Sequence, residues 1–253
     1  MRIRPNTRFL IVALVATLAI PALAPGALAG KDRGIDISRF QGKEVDWDRI
    51  ARSGVDFAFV QASRGSGNDC AVSPDRCGKD ETYDRNYRLA RKEGVRVGPY
   101  HRAFTDGKSV EDAKRDAKRE AKIFIKEVGD LENDDLRPVL DWESPFDRFG
   151  EKELLKWIRT WLDQVEREYD VKPIIYTNFT SWQAVGDTTE FAEDGYPLWV
   201  ANFNVKKPKV PADNWDGEGW AIWQFTSTGK VPGIDGNVDE NKLRVPYRKI
   251  TVG

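Results

Sequence analysis

The sequence has few of the residues that metal sites and disulfide-rich scaffolds need. It contains one histidine, His101, and two cysteines, Cys70 and Cys77, among 253 residues. A single histidine excludes a His-rich zinc site and the His-Glu-x-x-His motif, and we expect neither a metal nor a cofactor. The two cysteines lie in a stretch rich in Gly, Asp, Ser and Pro. In an oxidising compartment, we expect them to pair as a disulfide within that loop.

Motifs for nucleotide binding and for serine hydrolysis are also absent. Gly107-Lys108-Ser109 lacks the upstream glycine of a phosphate-binding loop, because Arg102 occupies that position. No Gly-x-Ser-x-Gly sequence occurs, so a serine hydrolase has no support. The formal net charge is -1, and no basic tract is present. Nucleic acid is therefore not expected as a partner.

One long apolar run is present, and it lies near the N-terminus. Three arginines precede the apolar segment Phe9–Ile20, and Ala27-Leu28-Ala29 then gives the small-x-small pattern of a secretory cleavage site. We predict a signal peptide over residues 1–29 and a secreted domain over residues 30–253, with no membrane partner after cleavage. The alternative is a retained membrane anchor, but the run is short beside the roughly 20 residues that a spanning helix needs.

After this leader, short runs of β-branched and aromatic residues alternate with helical patterns. Strands are predicted at Ile35–Ile37, Phe57–Gln61, Arg96–Tyr100, Pro138–Trp142, Ile174–Thr177, Leu198–Ala201, Gly219–Phe225 and around Val238. Helices are predicted at Trp47–Arg52, Glu81–Glu93, Ser109–Gly129 and Leu154–Tyr169. The alternation indicates an α/β fold with parallel strands and right-handed crossovers. Because the helices shorten after Thr177, we predict a single barrel-like domain with a shortened second half.

Two carboxylates follow the fourth predicted strand. Asp141 and Glu143 are two residues apart, so in an extended chain their side chains point to one face while Trp142 points to the other. Catalytic groups of α/β barrels lie at the carboxyl ends of the strands, and glycosidic bond cleavage uses paired carboxylates. The alternative is an acidic surface loop, since 32% of the residues are charged.

Two further acids are predicted to reach the same place. Asp36 lies in the first predicted strand and Asp239 lies near the last. The first and last strands of a closed barrel are neighbours, so four carboxylates would surround one opening. Like charges that crowd together raise the pKa of at least one member. Taken alone, each of these two aspartates is more typical of a helix cap or a turn.

Short segments along the chain resemble those of the family 25 glycoside hydrolases, which are secreted and phage muramidases that cut peptidoglycan. The matching segments are Gly34–Ser38, Gln41–Gly42, Asp46–Trp47, Phe57–Val60, Gly98–His101, Val139–Glu143, Ile175–Thr177, Leu198–Ala201, Trp223–Ser227, Val231–Ile234 and Asn237–Asp239. Each segment is short, but together they occur in order over most of the chain that follows the leader.

This resemblance implies a fold and a reaction. The fold would be an irregular, flattened (β/α) barrel of the TIM-barrel type. The reaction would be hydrolysis of the β-1,4 bond between N-acetylmuramic acid and N-acetylglucosamine in peptidoglycan glycan strands, by a protein that we expect to be a monomer.

The resemblance also implies roles for individual residues. Glu143 would be the general acid, and Asp141 would either stabilise an attacking N-acetyl group of the sugar or attack directly. Asp36 and Asp239 would complete the acidic cluster. Aromatic residues near the strand ends are candidates for lining the groove, with plain packing as the alternative: Tyr100, Tyr176, Trp199 and Trp223.

The chain departs from the family pattern at Gln61 and at two arginines. Gln61 and Arg64 replace the lysine and the glutamate of Ile-Lys-Ala-Thr-Glu-Gly, and Arg102 replaces the phenylalanine of Tyr-His-Phe. These arginines would either hold a carboxylate or peptide stem of the substrate or form salt bridges with the acidic cluster. We interpret His101 as a packed or hydrogen-bonded strand residue rather than a base.

The departures keep a second function open, namely a wall-binding protein that has the barrel without turnover. A chitinase-like enzyme is a third possibility. Its Asp-x-x-Asp-x-Asp-x-Glu motif would need acids at the positions that Leu136 and Val139 occupy.

Overall fold

The computed structural model of the protein describes residues 32–66, 78–144, 146 and 149–253. The predicted signal peptide and the predicted Cys70–Cys77 disulfide lie outside these residues. Within the described ranges, no helix combines the length and the apolar character that crossing a bilayer requires.

A closed barrel forms the centre of the molecule. The strands are β1 (Arg33–Ile37), β2 (Phe57–Arg64), β3 (Gly78–Lys79), β4 (Arg96–Arg102), β5 (Val139–Asp141), β6 (Ile174–Asn178), β7 (Leu198–Ala201), β8 (Ile222–Gly229) and β9 (Val238–Leu243). Eight of them close the barrel in the order β1-β2-β4-β5-β6-β7-β8-β9, and β9 returns to β1. The short strand β3 is added to the edge of β2. The predicted α/β barrel is therefore confirmed.

The strands that close the barrel are parallel except for β9, which runs antiparallel to both of its neighbours, β8 and β1. A parallel connection needs a crossover of a dozen or more residues. Only residues 230–237 join β8 to β9, so the chain returns as a hairpin. This hairpin places Asp239 directly opposite Asp36 in the register of β1 and β9.

The helices that follow β6 are short, as the sequence predicts. They are α1 (Trp47–Arg52), α2 (Tyr83–Lys92), α3 (Val110–Val128), α4 (Glu151–Tyr169), α5 (Phe179–Trp182) and α6 (Glu190–Glu193). The longest two, α3 and α4, lie on either side of β5 in sequence, whereas α5 and α6 are single turns. The ends of α3 are those predicted, because the Ser109 hydroxyl accepts a hydrogen bond from the Asp112 N–H and Gly129 has φ of 66°.

A left-handed helical turn over Pro211–Asp216 precedes β8. The five residues Ala212 to Asp216 have φ between 49° and 58° and include no glycine. Such a backbone costs about 1–2 kcal/mol per residue for an L-amino acid. The turn is held in place by Trp215, whose indole is buried and donates a hydrogen bond to the Tyr196 carbonyl at 2.7 Å.

The apolar core has two layers, one inside the barrel and one between the strands and helices. Side chains alternate along each strand, so Phe57 and Phe59 of β2 point inward while Ala58 and Val60 pack against the helical layer. Inside the barrel, Phe59 stacks on Trp199 with ring centroids 4.6 Å apart. These aromatic rings therefore fill this part of the barrel interior.

Candidate active site

A cavity of about 350 Å³ opens at the carboxyl ends of the parallel strands. Side chains along each strand point alternately into and out of the barrel. The inward position that follows the last core residue of a strand therefore lies at the opening. In β5, for example, Val139 belongs to the interior and Asp141 lines the cavity. In β2, Gln61 follows Phe59 in the same way.

The four predicted acids line this one cavity. Asp36 and Asp239 face each other across β1 and β9, and Asp141 is the last residue of β5. Glu143 follows two residues later with 33% of its side chain exposed. Trp142, between the two acids, is fully buried on the opposite side.

The Asp36 carboxylate is held by two amides. Its Oδ2 atom accepts a hydrogen bond from Gln224 Nε2 and another from Asn241 Nδ2, each at 2.8 Å. Each amide is itself oriented by an aromatic side chain. The Tyr176 hydroxyl donates to Gln224 Oε1 at 2.9 Å, and the Trp199 indole donates to Asn241 Oδ1 at 2.8 Å. These five side chains form a rigid floor for the cavity.

Burial raises the pKa values of three of the acids. The pKa of Asp36 is raised well above its ordinary value by burial and by the charge of Asp239. Burial likewise raises the pKa of Asp141, where Arg102 acts in the opposite direction and Glu143 adds to the increase. For Asp239, burial and the charge of Glu143 raise the pKa to about 6. The cavity therefore retains protons at a pH at which a free aspartate is ionised.

Arg102 positions the acid pair. Its Nε atom lies 3.8 Å from Asp141 Oδ2 and 3.4 Å from Glu143 Oε1. Its terminal nitrogens donate to the carbonyl oxygens of Ala103 and Glu143, each at 3.0 Å, and of Ser144 at 3.1 Å. The Arg102 guanidinium thus lies against both carboxyl groups and also holds the backbone that follows β5. The salt-bridge interpretation of Arg102 is confirmed by these contacts.

Three of the four predicted aromatic residues line the cavity, namely Tyr100, Tyr176 and Trp199. Trp223 does not. Gln224 takes the inward position on β8, so the neighbouring Trp223 points outward, where its indole donates to the Asn202 carbonyl at 2.9 Å. The expectation that Trp223 lines this cavity is therefore corrected by the alternation of β8.

Several residues at the site were not predicted from the sequence. Phe40 and Phe203 lie at the rim of the cavity with 76% and 38% of their surfaces exposed. Both come just after a strand, β1 and β7, and a search for aromatic residues in such positions would have found them. The amides Gln224 and Asn241 are harder to recognise from the sequence. Their only signal is that they are polar residues in or near predicted strands.

A second cavity of about 480 Å³ adjoins the first. The two share Glu143, Tyr176 and Phe203, while polar residues such as Asn178 and Lys209 line the far wall of the second. Glu143 therefore lies where the two cavities meet. An extended ligand that filled both would place a central bond beside this carboxyl group.

No set of three or more His, Cys, Asp or Glu side chains is arranged to hold a metal ion in the described part of the chain. The chemistry that the arrangement offers is proton donation and charge stabilisation by carboxyl groups within a partly closed cavity.

Comparison with known proteins places this geometry in a family. Residues 35–234 match the sequence profile of Glycosyl hydrolases family 25. The chain is 35% identical over 215 residues to the uncharacterized protein YegX of Escherichia coli K12, which covers 82% of this chain and 68% of YegX. It is 28% identical over 218 residues to Lysozyme M1 of Streptomyces globisporus, covering 83% and 67% of the two chains. Among solved structures, the bacterial lysozyme of Streptomyces coelicolor aligns with a TM-score of 0.72 at 27% identity, covering 86% of this chain and 94% of that one.

Proposed function

Because the chain belongs to family 25 of the glycosyl hydrolases, we propose that it is a muramidase that hydrolyses peptidoglycan. The bond would be the β-1,4 linkage between N-acetylmuramic acid and N-acetylglucosamine. Two relatives with this sequence pattern are named Lysozyme M1 and Autolytic lysozyme. The observation that carries the proposal is the convergence of four carboxyl groups at one opening, with Glu143 at the junction of two adjoining cavities.

Glu143 is proposed as the general acid. A general acid must reach the leaving oxygen, and Glu143 is the more exposed of the pair, with 33% of its side chain exposed against 13% for Asp141. Its place between the two cavities suits a bond that joins two sugar rings. Its proton would pass to the glycosidic oxygen as the bond to the anomeric carbon breaks.

Asp141 is proposed to orient the N-acetyl group of the sugar on the other side of that bond. Its Oδ1 atom is buried and has no hydrogen-bond partner among the described residues, which is costly unless a ligand supplies a donor. An acetamide N–H is such a donor. The acetamide oxygen would then attack the anomeric carbon, and water would open the resulting ring and return a proton to Glu143. Direct attack by the Asp141 carboxylate on the anomeric carbon is the alternative.

Asp36 and Asp239 are proposed to complete the acidic cluster, and each would stabilise the positive charge that develops on the sugar when its own carboxyl group is ionised. Tyr100, Tyr176 and Trp199 would form the apolar part of the sugar-binding surface. Their rings face the cavity, while the polar groups of Tyr176 and Trp199 are already bonded to the amides of the floor.

We further propose that residues 30–253 form the mature catalytic domain, exported by means of a signal peptide over residues 1–29. It would act as a monomer on glycan strands, without a nucleic acid partner and with the Cys70–Cys77 disulfide formed. The mass of the secreted protein under non-reducing conditions tests the cleavage site and the disulfide together.

The central test is digestion of purified cell wall, with mass spectrometry of the released fragments. Wild-type protein is expected to release muropeptides with N-acetylmuramic acid at the reducing end. Glu143→Gln should lower the rate at least a hundredfold, with circular dichroism and thermal unfolding unchanged. Glu168→Gln, at an exposed position of α4, is the matched control and should match the wild type.

Three outcomes would contradict the proposal. Fragments ending in N-acetylglucosamine would show that the bond is wrong. An active Glu143→Gln variant would show that the acid is wrong. Retention on insoluble wall without any released fragment would favour a binding protein.

A further inference from the structure

We propose that Arg64 is an anion-binding residue that takes a carboxylate carried by the glycan substrate. The inference rests on the proposed muramidase function and adds a recognition site to it. It concerns a position at which this chain carries an arginine in place of the glutamate of the family pattern.

Arg64 lies on the wall of the cavity that the four acids line. It is the last residue of β2, and its Cζ atom lies 5.7 Å from the Phe40 ring centroid and 5.6 Å from that of Phe104. Contacts of this kind hold a guanidinium in place through ring faces and consume none of its N–H donors. The group is therefore fixed in position while its hydrogen-bonding capacity stays available.

No described residue uses that capacity. The Nε and Nη1 atoms of Arg64 are buried and have no hydrogen-bond partner within the described residues. Burial lowers the pKa of Arg64, and the charges of Arg39 and Arg102 lower it further. The charges of Tyr100 and Asp80 act in the opposite direction, but Arg64 forms no salt bridge with a described carboxylate. A partly buried guanidinium with two unpaired donors is costly unless a ligand supplies the negative charge.

Arg102 provides the contrast. The guanidinium of Arg102 lies against Asp141 and Glu143 and donates to three carbonyl oxygens. Its donors are thus engaged in holding the acid pair. Two arginines border one cavity, and of the two it is Arg64 whose donors remain unpaired.

The chemistry of the proposed substrate contains a suitable anion. The muramic acid ring carries a lactyl group that ends in a carboxyl group, which is either free or linked to a stem peptide with carboxylates of its own. N-Acetylglucosamine has neither. A guanidinium binds a carboxylate through two parallel hydrogen bonds, so Arg64 would distinguish the two kinds of ring.

The test measures kcat and KM for wild type, Arg64→Gln and Arg64→Lys on three soluble glycan oligomers. The first oligomer carries stem peptides, the second has them removed to free the lactyl carboxylate, and the third has that carboxylate converted to a neutral methylamide. Loss of a charge-assisted pair should raise KM of Arg64→Gln about tenfold to a hundredfold on a recognised anion, with little change in kcat. Arg64→Lys should recover part of the loss, and the methylamide should be cleaved equally by all three proteins.

The three oligomers distinguish the two possible sources of the carboxylate, the stem peptide and the lactyl group. A KM effect confined to the peptide-bearing oligomer assigns the stem peptide, and one on the peptide-free oligomer assigns the lactyl group. Equal effects of Arg64→Gln on charged and neutral oligomers, or no effect on any, would overturn the inference and leave the muramidase proposal intact. Failure of the wild type to cleave any of the three would instead contradict that proposal.

Arg96→Gln is the matched control. Arg96 is the exposed first residue of β4, and its guanidinium lies 4.4 Å from the centroid of the Tyr247 ring at the other end of the barrel. The substitution removes a cation from a ring without touching the cavity. Its KM should match the wild type on all three oligomers.

Discussion

Strand β4 carries polar residues on both faces, and the residues on the two faces have different roles. Tyr100 and Arg102 point into the cavity. His101, between them, points outward beneath α3, where its Nε2 atom lies 2.7 Å from Glu120 Oε2 and its Nδ1 atom lies 2.8 Å from Ser63 Oγ. We refer to Ser63, His101 and Glu120 as the outer cluster.

The outer cluster has the composition of a serine hydrolase triad, but it is closed to solvent. Ser63, His101 and Glu120 have no exposed surface. Burial lowers the pKa of His101 to about 3, so the ring is neutral. Glu120 Oε2 also accepts the Phe104 N–H at 3.2 Å, which makes it an acceptor toward Nε2 and leaves Nδ1 to accept the Ser63 hydroxyl. The cluster joins β2, β4 and α3.

The comparison shows that polar residue types alone do not identify a reactive site. In the outer cluster the histidine is bonded at both ring nitrogens and no solvent enters. At the cavity, Asp141 Oδ1 and two nitrogens of Arg64 have no partner among the described residues, and the opening admits a ligand. Groups that are already paired stabilise the fold, whereas unpaired groups are available to a substrate.

The sharpest test of this contrast is Asp141→Asn. The substitution keeps the shape of the side chain but removes the charge that would stabilise the reaction, so activity should fall about a hundredfold to ten-thousandfold. Stability should be unchanged or higher, because the variant no longer holds an ionisable group in a buried position. Initial rates of wall digestion and thermal unfolding measure the two effects. Activity within tenfold of the wild type would show that Asp141 is not part of the reaction.

The opposite pattern is expected for His101→Ala. Removal of the imidazole takes one buried hydrogen-bond partner from Glu120 and opens a space beside Trp161, so the free energy of unfolding should fall by about 3–5 kcal/mol. The rate per folded molecule should stay near the wild-type value. Urea denaturation followed by assays on the folded fraction gives both quantities. His101→Gln should lose less stability, and a change below about 1 kcal/mol for His101→Ala would show that the outer cluster does not stabilise the fold.

Asp239→Asn should reveal the pH dependence of the cavity. The pKa of Asp239 is about 6 in the folded protein against an ordinary value of 3.8. A raised pKa favours the neutral form in the folded state, so wild-type stability is lost as the pH rises from about 4 through 6. The amide is neutral at every pH, and the variant should therefore be more stable than the wild type by roughly 1–3 kcal/mol at pH 7.5.

Thermal unfolding of both proteins between pH 3.5 and 7.5 measures this difference. The two curves should converge at the acidic end. A gap that stays constant across the range would show that Asp239 titrates as it does in the unfolded chain.

The smallest effect is expected for Ser63→Ala. The His101 Nδ1 atom loses its donor, and the free energy of unfolding should fall by roughly 1 kcal/mol. Activity should not change, because Ser63 lies outside the cavity. Ser227→Ala, at an exposed position of β8, is the control, and urea denaturation of both variants gives the difference. Loss of activity in Ser63→Ala without loss of stability would place the outer cluster in the reaction.

Local signals in the sequence predict much of the fold. Ser109 and Gly129 mark the ends of α3 because a cap depends on residues within one turn. The strand β3 at Gly78–Lys79 is too short to have a pattern. The left-handed turn at Pro211–Asp216 contains no glycine to indicate its backbone.

The residues of the candidate site likewise fall into two groups, those that the sequence predicts and those that it does not. Asp141 and Glu143 follow a strand and can be found locally, and the meeting of Asp36 with Asp239 follows from barrel closure. The interior amides cannot be predicted so easily, because the contact of Gln224 with Asp36 depends on the register of β8. Arg64 and Arg102 are the same residue type at two strand ends. Their different partners are set by packing that no sequence pattern records.

The position of β9 near the end of the chain affects the order in which the parts of the site form during synthesis and folding. The hydrogen bond from Asn241 to Asp36 joins residues 205 positions apart, and such distant contacts form late because of the chain entropy they remove. A nascent polypeptide contains Glu143 long before it contains Asp239. Under the proposed function, the acidic cluster at the cavity is therefore complete only after the final strand has been inserted beside β1.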